Sequence, residues 1–233
     1  VILMSKVGML ERRKGLSAAN IEAAIEDSLS RLGTDYLDVY FAHIDDQEVP
    51  LEETLGAFDR LIKAGKVRAI GASNYSSDRL EQALAVSRDH GFARYELIQP
   101  LYNLHDRADF ESSLAKVASE HNLGVVSYFS LASGFLTGKY AQLSDLEGNP
   151  RADFLNGYFS DRGQRILDTL MAVSQELSAK PSQVALAWLL HQPELTAPIV
   201  SATSLSQLDE ILASVNLSLP EEALLRLDAA SRQ

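Results

Sequence analysis

The chain has no cysteine among its 233 residues, only three methionines and a single tryptophan. Without thiols there is no disulfide framework, no thiolate metal ligand and no cysteine nucleophile. Positive charge is scarce too: 21 Lys and Arg stand against 32 Asp and Glu, a net charge of −11. Nucleic acid and anionic membrane surfaces demand clustered cations, so this balance argues against both as partners. Nor does any apolar run reach the ~20 residues of a membrane-spanning helix. The first segment, Val1 to Val7, reads as a buried strand rather than a basic, cleavable leader, and a cytoplasmic location is the expectation. Hydrophobic residues at 46% and charged ones at 23% lie in the ordinary globular range, enough for one sizeable core.

What is present alternates. Strand-like apolar runs at Val1–Lys6, Tyr36–Ala42, Val67–Gly71, Glu96–Pro100, Gly124–Tyr128 and Ala197–Val200 are separated by segments of helical period. Those helices are expected at Ala18–Leu32, Leu51–Ala64, Ser77–Asp89, Arg107–His121, Arg162–Leu177, Pro181–His191, Leu205–Ala213 and Pro220–Ala230. Ser17 reads as a helix cap, Pro181 as a first-turn proline, and Ser218-Leu219-Pro220-Glu221 as a capping box. Tyr140 to Asp161, with Gly148, Asn149, Pro150, Asn156 and Gly157, reads as one long irregular stretch, a lid or a disordered loop.

Alternating strands and helices predict an α/β protein with a parallel sheet. The absence of any G-x-G-x-x-G or Walker-type run disfavours an open nucleotide-binding sheet and favours the (β/α)8 TIM barrel. Such barrels take about 250 residues. About six of the eight βα units are read here, so residues 1–233 are expected to form a single, N-terminally incomplete barrel domain.

Catalytic groups of a barrel sit at the C-terminal strand ends. Polar residues recur there: Lys6, His43, Ser73 and Asn74, Gln99, Tyr128, then Ser201 and Thr203. Each alone has a plain structural reading, Lys6 as a solvated charge, His43 as a backbone-bonded histidine and Tyr128 as a core aromatic with its hydroxyl at the rim. Asp45-Asp46 reads as a pair of surface carboxylates leading into a helix rather than as paired general acids. Trp188 reads as core. His90, His105, His121 and His191 lack metal-ligand spacing, and no metal is expected.

Three segments carry a family resemblance: Leu37-Asp38-Val39-Tyr40-Phe41-Ala42-His43, Lys66 to Tyr75 (KVRAIGASNY) and Leu131 to Lys139 (LASGFLTGK). In that order and spacing they resemble the aldo/keto reductases, essentially over the entire chain. The resemblance implies hydride transfer between a nicotinamide, NADP or NAD, and the carbonyl of a small aldehyde or ketone. It implies a tetrad of Asp, Tyr, Lys and His, to which Lys6 and His43 correspond; the matching Asp and Tyr are expected before Val1. Lys6 would then lower the pKa of the proton-donating phenol and His43 would orient the carbonyl oxygen. Ser73, Asn74 and Gln99 are implied for the nicotinamide carboxamide and Tyr128 for stacking on its ring. Leu131, Ser133, Gly134 and Lys139 are implied for the diphosphate, and Ser201, Thr203 and Gln207 for the adenosine end. No Lys or Arg occurs between Ser201 and Ile211, where many members hold the 2′-phosphate with a cation, which leaves NAD open beside NADP.

Two other classes stay open at this level. One is a cofactor-binding regulatory subunit of the same fold with little turnover. The other is an unrelated phosphate-binding barrel enzyme, against which the Ser73, Asn74, Gln99 and Tyr128 set speaks, since a phosphosugar needs no carboxamide partner.

Overall fold

All six expected strands are present in the computed structural model, which describes residues 1–140, 142–148 and 152–232. They are β1 (Met4–Val7), β2 (Leu37–Ala42), β3 (Val67–Ser73), β4 (Tyr95–Gln99), β5 (Gly124–Ser127) and β6 (Ala197–Pro198). The chain divides into two units, Val1–Pro100 with Ser113–Val125, and Leu101–Ser112 with Val126–Gln233.

In the first unit β1 pairs parallel with β2, β2 with β3, β3 with β4, and β4 with Gly124 and Val125 of β5. Parallel strands need crossover connections, and the helices α1 (Ala18–Leu32), α2 (Leu51–Lys63) and α3 (Ser77–His90) supply them. A strand covered by helices has to be apolar on both faces, and β2 runs as Leu37, Val39, Tyr40, Phe41 and Ala42, all buried. Helix α1 turns Ile21, Ala24, Ile25 and Leu29 inward; Ser17 caps it by accepting from the Asn20 amide at 3.4 Å, and Gly33 closes it in the left-handed conformation.

Gly71 is the sheet's tightest point. A Cβ there would lie 2.3 Å from Cε1 of Phe41 on β2 and 3.0 Å from the Leu97 carbonyl oxygen on β4. The absent side chain is what leaves room for the Phe41 ring against the neighbouring strand.

In the second unit Val126 and Ser127 of β5 pair with β6. Its helices are α6 (Asp161–Glu176), α7 (Pro181–Leu190), α8 (Leu205–Ala213) and α9 (Glu221–Ser231). Trp188 of α7 is fully buried, as expected, and donates from its indole nitrogen to Asp228 of α9 at 3.1 Å. The guanidinium of Arg107 lies 4.8 Å above the indole and donates to Asp228 and Glu111, both at 2.8 Å. A buried cation between two carboxylates and an aromatic face has its charge satisfied on every side.

Four local expectations are corrected. The helix expected over Arg107–His121 contains a π-helical segment, Phe110–Leu114, before α4 (Ala115–Glu120). The wider turn lets Glu111 accept from both Tyr102 and Arg107 while Phe110 stays buried against the Tyr102 ring. Within 140–161 the described residues form short helical turns, Leu143–Leu146, Ala152–Leu155 (α5) and Asn156–Tyr158, that bury Leu146, Leu155 and Tyr158. Asn149 and Pro150 lie outside the described residues. Strand β6 is only Ala197–Pro198, shorter than expected, with the Ile199 amide making the last bond to the Ser127 carbonyl at 2.8 Å. The capping box at Ser218–Glu221 does not form: Pro220 takes the cap position, which puts Ser218 two residues too early to bond the first turn. No helix among the described residues is long and apolar enough to cross a membrane.

Gly71→Ala is expected to destabilise the protein by about 1–3 kcal/mol through overpacking against Phe41. Urea unfolding would show this as a lower midpoint with an unchanged slope; an unshifted midpoint would refute the tight contact.

Candidate functional site

Residue register sets the level of each polar group. Val7 pairs with Ala42, Ala42 with Ala72, and Ser73 with Gln99. His43 and Ser73 therefore emerge directly after matched residues, and Lys6 stands opposite Phe41, one step below. Lys6 and His43 line one shallow, open cleft together with Arg12, Arg13, Asp27 and Arg31. Burial lowers the Lys6 pKa; burial and then the Lys6 charge lower that of His43. Both effects favour the neutral form of His43, whose ring then carries one donor and one acceptor nitrogen.

A line of hydrogen bonds continues from this pair. Asn74, in the left-handed conformation at φ 57°, donates from Nδ2 to the His43 carbonyl at 2.8 Å and to Ser73 Oγ at 3.1 Å. Ser73 Oγ donates to the Gln99 carbonyl at 2.8 Å. Gln99 is 2% exposed, and its side-chain oxygen is buried with no hydrogen-bond partner. A buried amide oxygen without a donor is a costly arrangement. Asn74 and Gln99 also share a second cleft with Tyr75, Pro100 and Leu114.

Sequence reasoning missed what holds the Lys6 and His43 strand ends together. Asp46 Oδ2 accepts from the Leu16 amide at 2.8 Å, and Oδ1 accepts from the Glu48 amide at 3.2 Å. Asp45 is bound by Arg79 Nε at 2.9 Å, with side-chain exposures of 11% and 19%. Both carboxylates are partly buried and hydrogen-bonded, which corrects the expectation of surface groups. Around Asp46 the loop after β1 is pinned again and again. The Gly15 amide donates to the Gly8 carbonyl, Thr54 Oγ1 donates to the Leu16 carbonyl, and Asn20 Nδ2 donates to the carbonyls of Arg13, Lys14 and Gly15. Gly15 at φ 83° leaves the carboxylate room: a Cβ there would sit 2.7 Å from Asp46 Oδ2. None of this is periodic in sequence, so no pattern could have revealed it.

Other predicted residues lie in the second unit. Tyr128 is half-buried, and burial followed by the Asp106 charge raises its pKa. The Leu131–Lys139 segment is a tight helical turn in which Ser133 and Gly134 both take positive φ, 56° and 102°. Lys139 Nζ lies 4.7 Å from the Tyr140 ring centroid and 3.4 Å from a Cβ built on Gly134. Ser201, Thr203 and Gln207 are exposed; Gln207 Oε1 accepts from the Thr203 amide and hydroxyl at 2.8 and 3.0 Å, and Ser204 caps α8 by accepting from the Gln207 amide at 3.2 Å.

Comparison with known proteins gives this constellation a family. Residues 1–232 match the description "Aldo/keto reductase family". The chain belongs to the aldo/keto reductases. Among its relatives, the uncharacterized oxidoreductase YrpG of Bacillus subtilis is 33% identical over 216 residues, 92% of this chain and 64% of YrpG. A protein of Schizosaccharomyces pombe named for the voltage-gated potassium channel β subunits is 32% identical, over 94% of this chain and 66% of its own length. The L-glyceraldehyde 3-phosphate reductase of Escherichia coli K12 is 29% identical, over 92% and 64%. This aldo/keto reductase chain therefore spans about two thirds of the length of these relatives.

Two outcomes follow from the geometry. Asp46→Ala orphans the buried Leu16 amide and is expected to cost about 1–3 kcal/mol, with hydrogen exchange at that amide accelerated; unchanged protection would mean Asp46 is not the clamp. His43 has a folded pKa below its unfolded value of about 6.5, so the unfolded chain takes up the proton first. Stability is expected to fall as pH drops below about 6.5 toward the folded pKa, and the His43→Gln variant to show a smaller fall over the same window in denaturant titrations.

Proposed function

We propose that the protein is a nicotinamide-dependent carbonyl oxidoreductase that interconverts small aldehydes or ketones and their alcohols, built on a (β/α)8 barrel of which this chain is a single domain. The observation that carries the reading is the hydrogen-bonded line from the His43 carbonyl through Asn74 and Ser73 to the Gln99 main-chain carbonyl, together with the separate side-chain oxygen of Gln99, which is buried without a donor. A primary carboxamide has the N–H to complete that oxygen, and its carbonyl would take over a donor that Asn74 or Ser73 now gives to the chain, so a nicotinamide fits the site. The reduced cofactor, when bound, supplies the hydride for the carbonyl carbon.

The remaining roles belong to the chain. Ser73, Asn74 and Gln99 orient the carboxamide, and Tyr128 stacks on the ring. Leu131, Ser133, Gly134 and Lys139 receive the diphosphate, where left-handed backbone permits close approach. Ser201, Thr203 and Gln207 receive the adenosine end, using the first turn of α8. With no cation in Ser201–Ile211, either NADP or NAD is accepted, the family favouring NADP. Neutral His43 holds the substrate oxygen, and Lys6 keeps positive charge beside the proton donor, which favours release of its proton. The net charge of −11 supports a small-molecule partner rather than nucleic acid or an anionic membrane surface.

The test is a fluorescence titration of NADPH and NADH against the protein, followed by carbonyl-dependent oxidation of the bound nicotinamide. Gln99→Leu is expected to weaken cofactor binding about tenfold, since a buried site deprived of its polar partner loses ~1–3 kcal/mol. Lys6→Met is expected to keep binding and lose turnover. Binding without turnover in the wild-type protein would replace this reading by the cofactor-sensing one, and absence of binding would end both.

A further inference from the structure

Cations are scarce in this chain, 21 Lys and Arg against 32 Asp and Glu, yet four of them gather at one cleft of the first unit. Lys6, Arg12, Arg13 and Arg31 line it, and Asp27 is the one carboxylate among its lining residues. Arg12 and Arg13 come from the short helical turn after β1, and Asp27, Ser28 and Arg31 from α1. In a chain with a net charge of −11, positive charge confined to one cleft focuses the local field there.

Most of this hydrogen-bonding capacity is unspent. Arg13 donates from Nε to Asp27 at 2.8 Å, and that bond, with the charges of Arg13, Arg31 and Arg12, holds the Asp27 carboxyl below its usual range. Arg12 is exposed and its side chain has no hydrogen bond or ion pair among the described residues. Arg31, also exposed, makes a long contact to Ser28 Oγ at 3.5 Å. Beside these groups a donor is stranded. Tyr40 of β2 is fully buried, and its hydroxyl has no hydrogen-bond partner although it lies near Ser28 and within the fields of Arg31, Asp27 and Arg13. Ser28 Oγ is already engaged by Ser5, Arg31 and the Ala24 carbonyl. Burial raises the Tyr40 pKa, so the group stays a neutral O–H in want of an acceptor.

These are independent observations, and they ask for the same thing: a compact anion rich in acceptor oxygens. Guanidinium forks match phosphate oxygens pairwise. We propose that the cleft between the loop after β1 and helix α1 is a phosphoryl-binding site, in which Arg12 and Arg31 grip the phosphoryl oxygens and the Tyr40 hydroxyl donates to one of them. Asp27 holds Arg13 at the wall of the site. The site lies within the first unit and shares no residue with the Ser73, Asn74 and Gln99 set, so it stands without the cofactor reading. Two sources bring this chemistry: free phosphate, and the phosphoryl group of a carbonyl substrate whose carbonyl Lys6 and His43 meet in the same cleft.

The experiment measures binding of inorganic phosphate to the native polypeptide by calorimetry, without cofactor and at about 0.15 M NaCl, where diffuse surface attraction is screened. Arg12→Ala and Arg31→Ala are each expected to weaken binding about tenfold, and Arg12→Lys to recover it in part, since an ammonium lacks the fork. Tyr40→Phe should weaken it about threefold with thermal stability kept, because the hydroxyl has no partner to lose in the free chain. Undetectable binding, or binding that none of these variants alters, would overturn the site. A second measurement separates the sources by comparing kcat/KM for glyceraldehyde 3-phosphate and glyceraldehyde. A preference for the phosphorylated substrate that both alanine variants abolish, with glyceraldehyde unchanged, assigns the site to the substrate. Equal turnover of the two with phosphate binding intact assigns it to free phosphate. If neither is turned over, the oxidoreductase reading fails and the calorimetry alone decides the site.

Discussion

Parallel in-register pairing of β1, β2 and β3 is the constraint on which the first unit depends. Because Val7, Ala42 and Ala72 stand side by side, whatever follows them leaves the sheet at one level, and polar residues far apart in sequence become neighbours without any long-range design of their own. Parallel pairing in turn requires helices between strands, and where these cover both faces the ladder is apolar, as at Val39 to Ala42 of β2, while Asp38 and Arg68 near the strand starts pair with each other. Gly71 shows how little freedom remains: the neighbouring strand's aromatic ring occupies the space of its side chain. The candidate residues Lys6, His43, Ser73 and Gln99 accordingly sit at or just past the C-terminal strand ends, beyond the most fully covered part of the sheet.

Strand ends alone give proximity, and the loops give rigidity. The carboxylate of Asp46 reaches back to the Leu16 amide and ties the loop after Lys6 to the loop after His43. Arg79 neutralises the adjacent Asp45, so two carboxylates share one turn without mutual repulsion and Asp46 remains free to accept backbone amides. In the second unit a comparable device, Asn103 with Asp106 and Tyr158, holds the left-handed Phe129 in place. In both cases an acidic or amide side chain does what extra secondary structure cannot: it satisfies irregular backbone while leaving the neighbouring side chains accessible.

Sequence alone determined the alternation of strands and helices, the helix α1 with its Ser17 cap, the buried Trp188 and the candidate residues at the strand ends. These are properties of local periodicity and of side-chain chemistry, which a chain carries wherever it is. It also carried the three segments that make the family recognisable. Tertiary structure decided the rest. Whether Asp45 and Asp46 are acids, surface charges or a clamp depends on Arg79 and Leu16, 34 and 30 residues away. The capping box at Ser218 failed because a proline two positions later took the cap. A π-helical turn at Phe110 and the left-handed Phe129 answer to partners across the fold, Tyr102 and Asn103, that no window of neighbouring residues contains. The open oxygen of Gln99 belongs to the same class, since a donor is missing only once the whole fold has closed around it. Periodicity reports which side of an element faces inward; the identity of what it meets there is a long-range contact, and only the folded chain supplies it.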